Sequence, residues 1–275
     1  MIQIKRKPTS PGVRAQKRIK FYTSGDKPLK RLLSPLKGPK GRGLGKISVR
    51  HQSRGAKKHY RLIDFKRDNK DIPGVVKTIE YDPVRNASIC LIFYKDGDKR
   101  YILAPNGLKV GDNIISSDKV KPNIGNCMLL KNIPLGTKIH NIELNPNAGG
   151  IMARGAGTSC YLMSKEDKYV NLKMPSGEIR KVLQTCKATI GEVSNAEYKN
   201  QKFGKAGVKR HMGIRPGVRG VAMSNPRKHP HAGSYTSAGI GKPSPVSPTG
   251  VKSKGFKTRR RKKTDVFIVK DRRKK

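Results

Sequence analysis

The segment Arg50-His51-Gln52-Ser53-Arg54-Gly55-Ala56-Lys57-Lys58-His59-Tyr60 interleaves cations with flat rings. Cations bind phosphate and rings stack on unpaired bases, so this mixture suits single-stranded or bulged RNA. Arg85, in Pro83-Val84-Arg85-Asn86-Ala87, and Arg154, in Gly149-Gly150-Ile151-Met152-Ala153-Arg154-Gly155-Ala156-Gly157-Thr158, carry related chemistry. An arginine presents a planar fork that grips two phosphate oxygens or stacks on a base. Glycines around it would let backbone N–H groups approach a phosphate closely.

Further cations of the same use are Arg67, Lys205, Arg210, Arg215 and Arg219. Asn225, His229 and His231 lie in Asn225-Pro226-Arg227-Lys228-His229-Pro230-His231. Lys257, Arg259 and Arg260 belong to the run Lys257-Thr258-Arg259-Arg260-Arg261-Lys262-Lys263. That run acts as a brush of point charges on phosphates and discriminates no bases. His229 is of the residue type that serves as acid or base at neutral pH. No serine or cysteine nucleophile and no orienting carboxylate stands beside it, so it is expected to pack on RNA. The spacing of His211, His229 and His231 suits no regular metal site, and no CxxC pair suggests a zinc ribbon. GxxxxGK[ST] and HExxH are both absent. The expected catalytic set, metal set and cofactor are therefore none, with Mg²⁺ entering as a structural companion of the RNA.

The charge that must be positioned is large. The 275 residues carry 62 Lys+Arg against 18 Asp+Glu, a formal net charge of +44. Residues 1–61 carry +18, residues 62–200 carry +6 and residues 201–275 carry +20. Like charge at that density opposes compaction, and a polyanion relieves it. A membrane is the rival polyanion, but no apolar run approaches the roughly 20 residues that span a bilayer. Four cysteines in a chain without a secretory leader are expected to be free, buried thiols.

The near-neutral middle is expected to be β structure. Tyr60–Phe65, Gly74–Tyr81, Ser88–Tyr94 and Arg100–Ala104 form one set of strands, with Asp96-Gly97 as a hairpin turn. Lys138–Leu144, Tyr161–Ser164, Tyr169–Met174 and Ile179–Leu183 form a second, and Asn195–Gln201 holds one or two helical turns. Two small barrels follow. The expected division is a basic extension over 1–59, a first barrel over 60–130, a second over 131–200 and a basic tail over 201–275. The two ends are rich in Gly, Pro, Ser, Lys and Arg, so they are expected to order on RNA.

Lys7-Pro8-Thr9-Ser10-Pro11-Gly12, Arg61-Leu62-Ile63-Asp64-Phe65-Lys66-Arg67, Glu80-Tyr81-Asp82-Pro83, Arg100-Tyr101-Ile102-Leu103-Ala104-Pro105, Gly149–Thr158 and Gly204-Lys205-Ala206-Gly207 occur in one order. Together they resemble the universal family of the bacterial-type large-subunit ribosomal protein two, from Lys7 to Val269. The resemblance implies a mainly β chain: an OB-fold barrel, then an SH3-like barrel, with long basic extensions at both ends. It implies a structural, non-enzymatic role on 23S-type large-subunit rRNA, in assembly, near the peptidyl-transferase region and in subunit association. Neighbouring ribosomal proteins and the small subunit are the implied protein partners, with no membrane and no small-molecule substrate. The implied location is the ribosome of a bacterial cytoplasm or of an organelle that encodes the chain. Arg85 and Arg154 match the family's RNA-contacting arginines. Ala232–Gly241 departs from the family's glycine run and lacks the acid that follows the second histidine.

Two other classes compete. A nucleic-acid packaging protein would need no ordered series of barrel motifs. An RNA-modifying enzyme would need a cofactor loop or a nucleophile–base pair.

Overall fold

The computed structural model describes residues 2–38, 42–43, 45–219, 222, 246–247, 249–253, 255–256 and 263–272. The chain forms two compact units. The first comprises residues 1–37, 57–208 and 266–275, and the second comprises residues 38–56 and 209–265.

In the first unit, Asn113–Ile114, Gly74–Tyr81, Ser88–Tyr94 and Lys99–Leu103 form a four-stranded antiparallel sheet in that order. The turn at Asp96-Gly97 closes as expected: the Gly97 N–H donates to Tyr94 O, with Gly97 at φ 86°. Ser88–Tyr94 is buried along both faces. Cys90, Ile92 and Tyr94 join Val76, Ile79, Ile102 and Ile114 in the barrel core. Ile89 and Leu91 point the other way, with Tyr101 and Leu103, and Leu29 and Leu32 pack against them. A strand covered on both sides needs no polar alternation, which accounts for the unbroken Ile-Cys-Leu-Ile-Phe run. The cover is pinned at Tyr101, whose hydroxyl donates to the buried Glu80 carboxylate at 2.9 Å and accepts from the Leu29 N–H at 2.9 Å. Burial raises the Glu80 pKa and pushes that of Tyr101 up to about 12. Part of the expected basic extension is thus folded structure. Ile2–Lys5 also pairs with Lys17–Lys20, and Leu33–Pro35 with His59–Arg61.

The second sheet has seven antiparallel strands in the order Cys127–Leu129, Lys187–Ile190, Lys138–His140, Cys160–Lys165, Tyr169–Lys173, Ile179–Leu183 and Ile268–Lys270. Its core gathers Leu130, Ile133, Ile139, Ile142, Leu162, Val170 and Leu172. The fold is an OB-type barrel followed by an SH3-like barrel. Cys127–Leu129 pairs with Lys187–Ile190, so the second barrel begins before residue 130. Ile268–Lys270, expected within an extended tail, adds to the edge strand Ile179–Leu183 instead. Phe267 assists by packing its ring 6.2 Å from that of Tyr169. The helical turn near Asn195 is a 3₁₀ turn over Ala196–Asn200, entered through Asn195 at φ 63°. All four cysteines are free and buried, and burial pushes Cys90 and Cys160 up to about 12.

Candidate nucleic-acid interface

Arg85 and Arg154 are 69 positions apart in sequence but meet on the ring of Phe65. The guanidinium carbon of Arg154 lies 3.8 Å from the ring centre, and that of Arg85 lies at 5.0 Å. The fold aims each side chain differently. Asp82 and Asn86 close the turn after Gly74–Tyr81, because the Asn86 N–H donates to Asp82 O. That turn sets Arg85 against the fully buried Asp82 carboxylate at 2.6 Å. The other side of the Arg85 fork donates to the Tyr60 hydroxyl at 2.7 Å. Arg154 follows the short strand Gly150–Met152 through Ala153 at φ 52°, which turns the chain toward Phe65.

The two cations are unequal. Arg85 has a carboxylate partner. Arg154 has no ion pair among the described residues, and its buried Nε has no hydrogen-bond partner there. Burial first, and then the nearby Arg85 charge, hold the Arg154 guanidinium below its usual range. A half-buried cation with a ring on one side, a like charge beside it and no anion is suited to receive a phosphate oxygen or a base face. Phe65 and Tyr60 are the residues that sequence reasoning missed in this role. Tyr60 was expected to stack on RNA, yet its hydroxyl is bonded to Arg85.

The glycines around Arg154 have a different use from the one expected. The Gly149 N–H donates to Glu143, that of Gly150 to Phe65 O, and that of Gly157 to Ser194 O. A Cβ on Gly150 would collide with Asn141, and one on Gly157 with Ala196. These glycines permit close packing inside the protein. Gly155 alone of the four near Arg154 stands clear, with only Thr158 at 3.7 Å from such a Cβ.

Arg67 is a correction. It is only 2 % exposed, and its guanidinium donates to Gly125 O at 3.3 Å inside the protein. The Asp64 carboxylate accepts from the Lys66 and Arg67 N–H groups, which turns the chain, and Arg67 at φ 52° points inward. Lys57 and Lys205 are exposed, and Lys58 is half-buried.

In the second unit, residues 51–56 and 211–216 run alongside each other. Ser53 N–H donates to Gly213 O at 2.7 Å, Ala56 N–H to His211 O at 2.8 Å, and Arg215 N–H to His51 O at 3.0 Å. Gly55 and Gly213 permit this approach, since a Cβ on either would strike the opposite backbone at 2.6 Å. The pairing gathers Arg50, His51, Arg54, Arg210, Arg215 and Arg219, all exposed. These six come from the two arms that sequence alone could not connect. Asn225, His229, His231, Lys257, Arg259 and Arg260, with the loop Ala232–Gly241, lie outside the described residues. Among the described residues no group of three or more His, Cys, Asp and Glu could hold a metal ion, and no helix is long and apolar enough to cross a membrane.

Two families of known proteins match the chain. Residues 29–116 match Ribosomal Proteins L2, RNA binding N-terminal domain. Residues 123–250 match Ribosomal Proteins L2, C-terminal domain. The gap between the two matches falls just before Cys127, where the second sheet begins.

Proposed function

The chain belongs to the ribosomal protein L2 family, and on that footing we propose that it anchors 23S-type rRNA during large-subunit assembly, supports the peptidyl-transferase region and helps hold the two subunits together. Membership itself makes it a structural, rRNA-binding constituent of the ribosome, from a family that is not an enzyme family. The single observation that carries the finer reading is Arg154: a half-buried cation on the Phe65 ring, with no carboxylate among the described residues and a second arginine beside it. A phosphate oxygen would satisfy the Arg154 guanidinium, while Arg85 keeps its Asp82 and Tyr60 partners, and charge-assisted bonds of that kind are the strong ones.

The exposed cations Arg50, Arg54, Arg210, Arg215 and Arg219 support an electrostatic second grip. Asn225, His229 and His231 continue that segment and are proposed to reach toward the peptidyl-transferase region. Lys257, Arg259 and Arg260 are proposed as phosphate contacts of the tail. Mg²⁺ would belong to the RNA, neighbouring ribosomal proteins and the small subunit would complete the surroundings, and a bacterial cytoplasm is the proposed setting.

Sedimentation of tagged protein from cell lysate through sucrose gradients, with washes of rising salt, tests the reading. Co-migration with large subunits through high salt is expected. Recovery in light fractions, or release at modest salt, would instead mark a free RNA chaperone.

A further inference from the structure

We infer that the cleft between residues 20–23, the loop 104–109 and Ser194-Asn195 holds a single unstacked RNA nucleotide, an inference that rests on the rRNA-binding reading above. The cleft measures about 730 Å³. That is ample for a base with its sugar, and within the usual ligand range of about 300–1,000 Å³. Ile79 and Leu108, both core residues, give it an apolar floor. Phe21 is fixed as a wall: its ring stacks on Tyr81 at 4.7 Å and 13°, and lies 6.2 Å from Tyr198. Tyr22, 65 % exposed, stands at the mouth.

Three features select the occupant. Lys20 and Lys109 are exposed on the lining, and no carboxylate among the described residues lines the cleft, so an anion is favoured. Asn106 presents a side-chain amide, donor and acceptor together, with no partner among the described residues; its own N–H is already given to Glu192 O. On the sheet side of the lining, the backbone of Ile79, Ser88 and Ala104 is already engaged and offers a peptide strand nothing to pair with. Ser24 occupies the Ile79 N–H and C=O, Ser194 Oγ takes the Ser88 N–H, and the Ala104 N–H donates to Ser88 O. A ring to stack on, an amide to meet a base edge and cations for the attached phosphate together match a nucleotide.

The aromatic pair is also held in advance. Lys17–Lys20 is paired with Ile2–Lys5 on one side, and the Ser24 N–H donates to Ile79 O at 2.8 Å on the other. Phe21–Thr23 is therefore a short span between two anchors, which lowers the ordering needed on binding.

The test uses the full chain bound to large-subunit rRNA. After irradiation with ultraviolet light and digestion, mass spectrometry of peptides is expected to find a nucleotide adduct on the peptide containing Phe21 and Tyr22. In binding to the same rRNA, Tyr22→Ala is expected to weaken affinity about tenfold, or about 1.4 kcal/mol, through lost stacking, and Tyr22→Phe to leave it near the parent's. Tyr22 is exposed, so neither change threatens the fold. Adducts elsewhere on the chain with none at Phe21-Tyr22, and unchanged affinity for Tyr22→Ala, would overturn the cleft while leaving rRNA binding intact. A chemical crosslink from Lys20 or Lys109 to another ribosomal protein, without a nucleotide adduct, would overturn it in favour of a protein occupant. Absence of adducts and of rRNA affinity altogether would overturn the rRNA reading itself.

Discussion

The guanidinium of Arg154 lies 3.8 Å from the centre of the Phe65 ring, with Arg85 5.0 Å from the same ring. The ring belongs to the chain leading into the first barrel, and Arg154 follows a short strand that pairs with Ile142–Glu143. One aromatic side chain thus orients two cations from distant parts of the sequence. Arg85 is neutralised by Asp82 and Arg154 is not, so the two should respond differently to substitution.

Arg154→Ala should weaken binding to large-subunit rRNA by about 1.5–3 kcal/mol, the usual range for a hydrogen bond to a charged group. The variant's thermal stability should hold, because the change removes a half-buried cation that has no anion among the described residues. Filter binding and thermal unfolding check the two halves. Unchanged affinity with an intact fold would remove Arg154 from the interface.

Arg67→Met should leave stability within about 1 kcal/mol of the parent, or raise it, because a buried charge is costly to desolvate and methionine fills similar volume. Arg67→Ala should lose about 2 kcal/mol or more through the cavity it opens. Neither should alter rRNA affinity. Urea denaturation and filter binding decide; a loss of affinity in Arg67→Met with stability kept would return Arg67 to the RNA surface.

Much of the fold was legible from turn chemistry and strand composition. Gly74–Tyr81, Ser88–Tyr94 and Ile179–Leu183 are found as expected, because each is bounded by a clear turn signal. Lys187–Ile190 escaped because all four of its residues are buried, leaving no alternation to read. Ile268–Lys270 escaped because its partner strand lies some 90 positions earlier. The site divides the same way. Residue types pointed to Arg85 and Arg154, but their shared ring depends on long-range packing. A charged residue read by type alone is placed at the surface, and Arg67 shows how a local turn, held by Asp64, can override that.

Gly157→Ala should destabilise the protein by about 2 kcal/mol or more, through the clash with Ala196 and a backbone at φ 64° that suits glycine. Gly155→Ala, which would bring only an ordinary contact with Thr158, should stay within about 0.5 kcal/mol of the parent. Thermal melts of the two variants side by side are sufficient. Equal melting temperatures would mean that the crowding at Gly157 relaxes freely.

His140 is buried, with Nδ1 2.9 Å from Gly191 O, and burial lowers its pKa to about 4. The unfolded chain binds that proton near pH 6.5. Stability from the neutral ring is therefore full above about pH 6.5 and is lost as pH falls toward 4, by about 3 kcal/mol in all. Glu80 acts in the opposite sense, since its raised pKa favours the protonated form in the fold. Unfolding free energy measured from pH 7 to pH 4 should fall less steeply in His140→Asn than in the parent. Parallel profiles would assign the acid sensitivity elsewhere.

Binding to rRNA should weaken steeply with salt, because each phosphate contact releases counterions. Arg50, Arg54, Arg215 and Arg219 are exposed on the paired segments of the second unit. Changing all four to Gln removes four cations and should make the log–log salt slope shallower by about 3, at roughly 0.7 per contact on single strands. The barrels should melt as in the parent, since none of the four belongs to the first unit. Affinity titrations from low to moderate salt measure the slope directly. If the slope stays the same while the variant still binds, these side chains face solvent, and the electrostatic grip belongs to other cations of the chain.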